Sequence, residues 1–91
     1  RRVAVCGGSG ASLLREAISA GVDCYVSGEF HYHDYFDTQG VLLAELGHYQ
    51  SEQFTQDLLL EYLTAHCPGL RVIRTNLDTN PIRYATRLPE R

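Results

Sequence analysis

The chain has 91 residues, which is enough for one small domain and too few for two. Its formal net charge of −3 argues against a nucleic-acid-binding surface, because such a surface needs a basic stripe. No apolar run reaches bilayer length and no cationic, apolar leader is present, so we expect a cytoplasmic domain without membrane contact. The spacing of Cys6, Cys24 and Cys67 matches no zinc or redox motif, which favours small buried thiols in a reducing cytosol.

Short strands and helices alternate in the first part of the chain. The apolar run Val3–Cys6 predicts a strand, which the glycine-rich run Gly7–Gly10 ends. The spacing of apolar residues over Ala11–Ala20 predicts a helix with Gly21 after its C-terminus. A second strand is expected over Asp23–Val26.

The same alternation continues to residue 74. A helix is expected over Phe30–Gln39, and Val41–Leu46 predicts a third strand because glycines bound this short apolar run. Apolar residues from Phe54 to Leu63 recur at helical spacing, which predicts a helix over about residues 50–66 with one face on a core. Leu70–Arg74 predicts a fourth strand, and Pro81–Arg91 reads as a partly ordered tail.

This order of elements predicts the fold class. Strands alternating with helices indicate a single three-layer α/β domain over residues 1–91, with a mostly parallel sheet of about four strands and right-handed crossover helices. In such a sheet every strand-to-helix loop leaves at the C-terminal edge, where ligands bind. Residues 7–10, 28–34, 47–52 and 76–81 should therefore meet at one edge, which suggests a site.

The pair His48 and Glu52 is the most informative feature of that edge. Residues four apart share one side of a helix, so an imidazole and a carboxylate can bind the same divalent ion. The alternative is that His48 simply ends a strand and Glu52 complements the helix dipole. Two ligands make an incomplete site, so either the cluster from Glu29 to Asp34 completes it or further ligands lie outside this chain.

Two other motifs allow a functional and a structural interpretation. Gly7, Gly8, Ser9 and Gly10 lead from a strand into a helix, where backbone N–H groups can bind an anion. The run matches neither a Walker loop nor a dinucleotide fingerprint, and a tight turn with positive φ explains it equally well.

The second motif packs Glu29, His31, His33 and Asp34 into six residues. We favour His33 and Asp34 over His31 as site residues, because the turn after Gly28 should direct the next helical turn over the sheet edge. The alternative is a solvated start of a helix, with Glu29 near its N-terminus.

Four ordered motifs together resemble a known family. The segments at residues 3–10, 28–34 and 47–52, followed by Asn80 and Pro81, resemble the C-terminal part of the Nif-three-like family, whose members include proteins called GTP cyclohydrolase I type 2. The resemblance spans about Arg2 to Tyr84. It implies a dinuclear metal site in an α/β protein that assembles as a toroidal hexamer, with His48 and Glu52 as metal ligands.

The resemblance further implies that this chain holds half of a site. The other ligands of the family, a His-His pair and an Asp, belong to the N-terminal portion of the same protein, and no His-His pair occurs here. The expected cofactors are two divalent ions per subunit, zinc, manganese or iron. The isolated chain is expected to be inactive and to bind metal weakly or not at all.

The implied function is that of a metal-dependent hydrolase acting on a nucleotide-like or phosphorylated small molecule. His33 is then the candidate proton shuttle, Tyr32 and Asp34 are cleft residues, and the glycine run suits a phosphate. The alternative is a non-catalytic scaffold or regulator that uses the fold for partner binding. Four aromatic residues are candidates for a contact surface, or else cover the domain's own core: Phe30, Tyr35, Phe36 and Tyr49.

Overall fold

The computed structural model of the chain describes residues 1–87. Its sheet contains β1 (Val3–Ser9), β2 (Cys24–Glu29) and β3 (Leu42–Glu45). All neighbouring strands are parallel and lie in the order β1-β2-β3. The α/β class and the parallel sheet predicted from the sequence are thus confirmed.

Short helices connect the strands. A 3-10 helix at Gly10–Leu13 leads into α1 (Leu14–Ser19), and a second 3-10 helix at Tyr32–Phe36 connects β2 to β3. The long helix expected over residues 50–66 is divided into two, which are α2 (His48–Glu52) and α3 (Thr55–His66). Within the described residues, no helix is both long and apolar enough to cross a membrane.

The expected fourth strand at Leu70–Arg74 does not form. A strand requires a hydrogen-bonded neighbour, and this segment pairs with neither edge of the sheet in the described part of the chain. Residues 81–87 of the expected tail have no regular structure, and residues 88–91 lie outside the described residues.

The core lies on one face of the sheet. Ala4, Tyr25 and Leu43 occupy one row across the three strands and pack with Leu14 and Ala17 of the α1 region. Alternation along parallel strands directs these side chains to the same side. This face therefore forms the sheet–helix layer that the sequence predicts.

The opposite face is covered by α2 only beside Gly7 and is otherwise open. Val3, Val5 and Leu42 point to it and are 62%, 75% and 66% exposed, and α3 has no buried residue. The radius of gyration is 17.8 Å, whereas a compact domain of this length has about 12 Å. The layer expected on this face is therefore incomplete within residues 1–87.

The candidate interface aromatics divide between core and surface. Phe30 packs against the core, with its ring 5.5 Å from that of Tyr25. Phe36 is 71% exposed and Tyr35 is 43% exposed, while Tyr49 is half-buried. Phe30 thus follows the core interpretation.

Candidate functional site

The ends of the strands place three segments side by side. Beyond β3, Leu46 N–H donates to Ser27 O at 2.9 Å and Gly47 N–H donates to Gly28 O at 2.7 Å. These two hydrogen bonds extend the pairing with β2 as far as Gly47, and α2 begins at His48. The expected meeting of strand-end loops at the C-terminal edge is therefore present for β1, β2 and β3.

His48 and Glu52 face each other across one turn of α2. His48 Nε2 lies 3.1 Å from Glu52 Oε2, and both side chains are half exposed. The spacing of four residues thus gives the shared direction that the sequence predicts. One imidazole nitrogen and one carboxylate oxygen are presented together toward solvent.

Glu29 contacts the other nitrogen of the same ring. His48 Nδ1 lies 2.6 Å from Glu29 Oε1 at the end of β2. This hydrogen bond, together with the negative charges of Glu52 and Glu29, raises the pKa of His48 above its usual value, against an opposing effect of desolvation. The ring is thus flanked by a carboxylate on each side.

Gly8 leaves space beside the pair. A Cβ at this position would overlap Glu52 Oε1 and lie 3.2 Å from His48 Nε2. The backbone has φ +73° here, where the pairing of β1 with β2 is irregular between Cys6 and Ser9. Glycine is required both for this conformation and for the close approach of the His48 and Glu52 side chains.

Serine hydroxyls occupy part of the predicted anion-binding run. Gly8 N–H donates to Ser51 Oγ at 2.8 Å, and Gly10 N–H donates to Ser27 Oγ at 2.9 Å. Strand β1 also continues to Ser9, so the run is mostly strand and not a loop. Anion binding by Gly7, Gly8, Ser9 and Gly10 stays a prediction, with two of its amides engaged within the chain.

A cavity of about 890 Å³ opens beside the pair. Glu29, His48 and Glu52 form part of its wall, and the segment from residue 74 to residue 84 forms another part. Gln50 Nε2 donates to Tyr84 O–H at 2.8 Å, which connects α2 to that segment. A nitrogen donor, a carboxylate and adjacent open volume together fit a divalent ion such as zinc or manganese.

Tyr32, His33 and Asp34 are not brought to this cavity. His33 and Asp34 line a separate cavity of about 520 Å³, and Tyr32 is 82% exposed with its ring against Phe36. Asp34 Oδ2 accepts His31 N–H at 2.7 Å and caps the 3-10 helix. This cap holds the segment as a separate cluster, and its roles in catalysis and substrate binding stay predictions.

The ligand atoms of His31, His33 and Asp34 all lie within 4.8 Å of one another. Of the described residues, this is the set of three or more side chains close enough to hold a metal ion. The cluster was one of two ways in which the sequence could complete the His48 site. In the structure only its first member, Glu29, joins His48.

From the sequence, Glu29 was not singled out within its cluster as the partner of His48. The two residues are 19 positions apart, so no local motif connects them. The available signal was topological: Glu29 ends one strand, His48 follows the next, and consecutive parallel strands are usually neighbours.

Comparisons with known proteins identify relatives of this chain. The model of the family described as Duf34/NIF3 (NGG1p interacting factor 3) matches residues 1–81. A protein named GTP cyclohydrolase 1 type 2 homolog from Streptococcus pneumoniae is 32% identical over 88 residues. A protein of the same name from Campylobacter jejuni is 35% identical over 86 residues. The matches include 91% and 92% of this chain but 33% of each relative.

Solved protein structures also match most of this chain. A Staphylococcus aureus protein matches with a TM-score of 0.68 and 27% identity, over 91% of this chain and 25% of its own. A Bacillus cereus protein related to NIF3 matches with a TM-score of 0.65 and 30% identity, over 91% of this chain and 24% of its own. The chain thus spans about a third of the curated relatives' length and about a quarter of the solved chains. It belongs to the Duf34/NIF3 family.

Proposed function

We propose that this chain supplies His48 and Glu52 as ligands to a divalent-metal site whose remaining ligands come from the N-terminal portion of the same protein. The observation that carries the proposal is the 3.1 Å approach of His48 Nε2 to Glu52 Oε2 beside an open cavity. Gly8 supports it, because its missing side chain leaves room next to both atoms. The curated relatives are about three times as long as the matched segment, so they have room for further ligands.

The donor atoms suit two divalent ions per subunit of the full-length protein, zinc, manganese or iron. Imidazole nitrogen and carboxylate oxygen are ligands that all three accept. Two ligands are fewer than such an ion requires. We therefore expect the isolated chain to bind metal weakly or not at all and to be inactive.

The proposed activity is hydrolysis of a nucleotide-like or phosphorylated small molecule. It is supported by the names of the relatives, which are GTP cyclohydrolase 1 type 2 homologs, and by a cavity whose size suits a small molecule. Bound divalent ions would lower the pKa of a water molecule, so that hydroxide is available as the nucleophile near neutral pH. His48 and Glu52 would bind the ions, and α2 would hold both at one end of the cavity.

The proposed partners are the N-terminal portion and further copies of the same protein, in a cytoplasmic homohexamer. The open sheet face supports this proposal, because Val3, Val5 and Leu42 form an apolar surface that a monomer seldom exposes. Packing of another segment or subunit on this face would supply the missing layer.

Metal content and turnover of the full-length protein test the proposed function. We expect stoichiometric metal by elemental analysis and turnover in a panel of phosphatase and nucleotide hydrolase assays. Glu52→Ala should lose both, whereas Glu61→Ala should keep both, because Glu61 is an exposed acidic residue of α3. Full metal and turnover in Glu52→Ala would refute the assignment.

The second candidate is a non-catalytic scaffold or regulator that binds partners. The open apolar face favours it, because such a surface serves binding whether or not metal is present. Full-length protein that contains no metal and shows no turnover, yet binds a partner through this face, would favour the scaffold over the hydrolase.

A further inference from the structure

We infer that Glu29 is a positioning residue, which holds the His48 ring in the tautomer that presents a bare Nε2 to Glu52 and the cavity. This inference rests on the proposed metal site and adds a function for a residue outside the ligand pair.

The two contacts of the ring differ in length. Nδ1 lies 2.6 Å from Glu29 Oε1, whereas Nε2 lies 3.1 Å from Glu52 Oε2. An ionised carboxylate only accepts hydrogen bonds, so the shorter contact places the proton of the neutral ring on Nδ1. The lone pair then resides on Nε2, on the side where Gly8 leaves space.

The backbone on both sides of Glu29 is fixed. Glu29 is the last residue of β2 and pairs with Ser9 of β1. The next amide, Phe30 N–H, donates to Glu45 Oε1 at 2.8 Å. Because Glu29 and His48 are both half exposed, water competes for their hydrogen bond, and an anchored backbone is what keeps the carboxylate on Nδ1.

A carboxylate on the far nitrogen of a metal-binding imidazole has a known physical effect. It fixes the ring's tautomer and orientation and makes the other nitrogen a better ligand, and its loss typically weakens metal binding 10- to 100-fold. Glu29 has this position relative to His48, and Glu52 lies on the metal-binding side.

Nitrogen-15 NMR of the metal-free chain reads the tautomer directly. At a pH where the rings are neutral, we expect His48 to carry its proton on Nδ1. His66 is an internal reference, since its Nδ1 lies 2.8 Å from Tyr62 O, and a carbonyl can only accept the proton. In Glu29→Ala we expect the His48 proton to move mainly to Nε2, toward Glu52, while His66 is unchanged.

Two further variants separate position from charge. Asp78→Ala removes an equal charge from the same cavity wall, where its carboxylate accepts Asn80 N–H, and should leave the Nδ1–H tautomer intact. Glu29→Gln keeps the shape of the side chain without its charge. Its ratio of the two His48 tautomers should lie between those of the wild type and Glu29→Ala. A His48 proton on Nε2 in the wild type, or on Nδ1 in Glu29→Ala, would overturn the inference.

Zinc affinity of the full-length protein separates this inference from the proposed function. We expect Glu29→Ala to weaken binding at least about tenfold, and Asp78→Ala to change it little. If His48→Ala leaves zinc binding unchanged, the proposed metal site itself is wrong. If His48→Ala abolishes binding while Glu29→Ala has no effect on affinity, the metal site stands and the role of Glu29 is refuted.

Discussion

At Gly8, one hydrogen atom in place of a methyl group keeps the space beside His48 and Glu52 open. Gly8→Ala places a Cβ against Glu52 Oε1 and strains a backbone with φ +73°. We expect the full-length variant to lose at least about tenfold in zinc affinity, as for loss of a supporting residue. We also expect this chain to lose about 1–2 kcal/mol of stability.

Gly21→Ala is the matched control. Gly21 has φ +72°, and a Cβ there meets nothing within 4 Å, so the backbone strain is alike and the clash is absent. Calorimetric zinc titration and urea unfolding of both variants distinguish the two effects. Equal zinc affinity in the two variants would show that the space beside Gly8 has no part in metal binding.

We expect the chain to lose stability at alkaline pH because of Tyr25. Burial of the side chain, together with the adjacent Cys6, raises the pKa of Tyr25 from 10.0 to about 12. Between these values the unfolded chain releases the phenol proton and the folded chain keeps it, so unfolding becomes more favourable as the pH rises. The full loss is on the order of 3 kcal/mol, since each pKa unit corresponds to about 1.36 kcal/mol.

Urea unfolding between pH 9 and about pH 12 measures this loss. Tyr25→Phe removes the hydrogen bond to Gly10 O, which costs about 1 kcal/mol at neutral pH, but it should also flatten the alkaline fall. Tyr32→Phe, at an exposed position, should retain the wild-type slope. An unchanged slope in Tyr25→Phe would mean that another group causes the loss.

Among the elements, α2 is connected to β1 by a hydrogen bond to the Ser51 side chain. Its Oγ accepts Gly8 N–H at 2.8 Å and donates to His48 O at 2.9 Å. Ser51→Ala leaves a half-buried amide without this acceptor, so we expect a stability loss of about 1–2 kcal/mol. We also expect weaker zinc binding in the full-length protein, because α2 carries both proposed ligands.

Ser12→Ala serves as the comparison, since Ser12 is exposed in the first 3-10 helix and its loss should change stability by less than about 0.5 kcal/mol. Urea unfolding of the two variants is the measurement. If Ser51→Ala were as stable as Ser12→Ala, the bond between α2 and β1 would contribute nothing measurable.

The sequence predicted the elements whose apolar residues are buried within this chain. Val3–Cys6 was identifiable as an apolar run that glycines end, and Val41–Leu46 as one that glycines bound, and both overlap strands. Leu70–Arg74 has similar composition but pairs with neither edge of the sheet in residues 1–87. The apolar face of α3 likewise meets no core, because composition specifies what a segment could bury and not whether a partner is present.

Of the candidate site, the sequence predicted the local pair and missed the contacts between strands. His48 and Glu52 share one helical turn, so their approach follows from spacing alone. The bond from Glu29 and the serine hydroxyls on the glycine run depend on strand register. His33 was misplaced toward the sheet edge because the 3-10 helix capped by Asp34 was not apparent from spacing.

At the scale of the whole molecule, the open sheet face predicts self-association of the isolated chain. Val5→Glu places a charge in the middle of that face, where Val5 is 75% exposed, and should shift the chain toward monomer in sedimentation across a concentration series. Stability should change by less than about 0.5 kcal/mol, because the position is exposed.

Ile73→Glu is the matched control, because Ile73 is 74% exposed but lies outside the sheet. It should leave association unchanged. Wild-type chain that stays monomeric at every concentration would show that the open face alone does not drive assembly. Equal loss of association in both variants would place the contact elsewhere.

If His48 and Glu52 bind a divalent ion, crystals of the full-length protein grown with zinc will show that ion by anomalous X-ray scattering. We expect an anomalous peak about 2.0–2.2 Å from His48 Nε2 and from a carboxylate oxygen of Glu52. A peak confined to His31, His33 and Asp34, or no peak within bonding distance of His48, would contradict it.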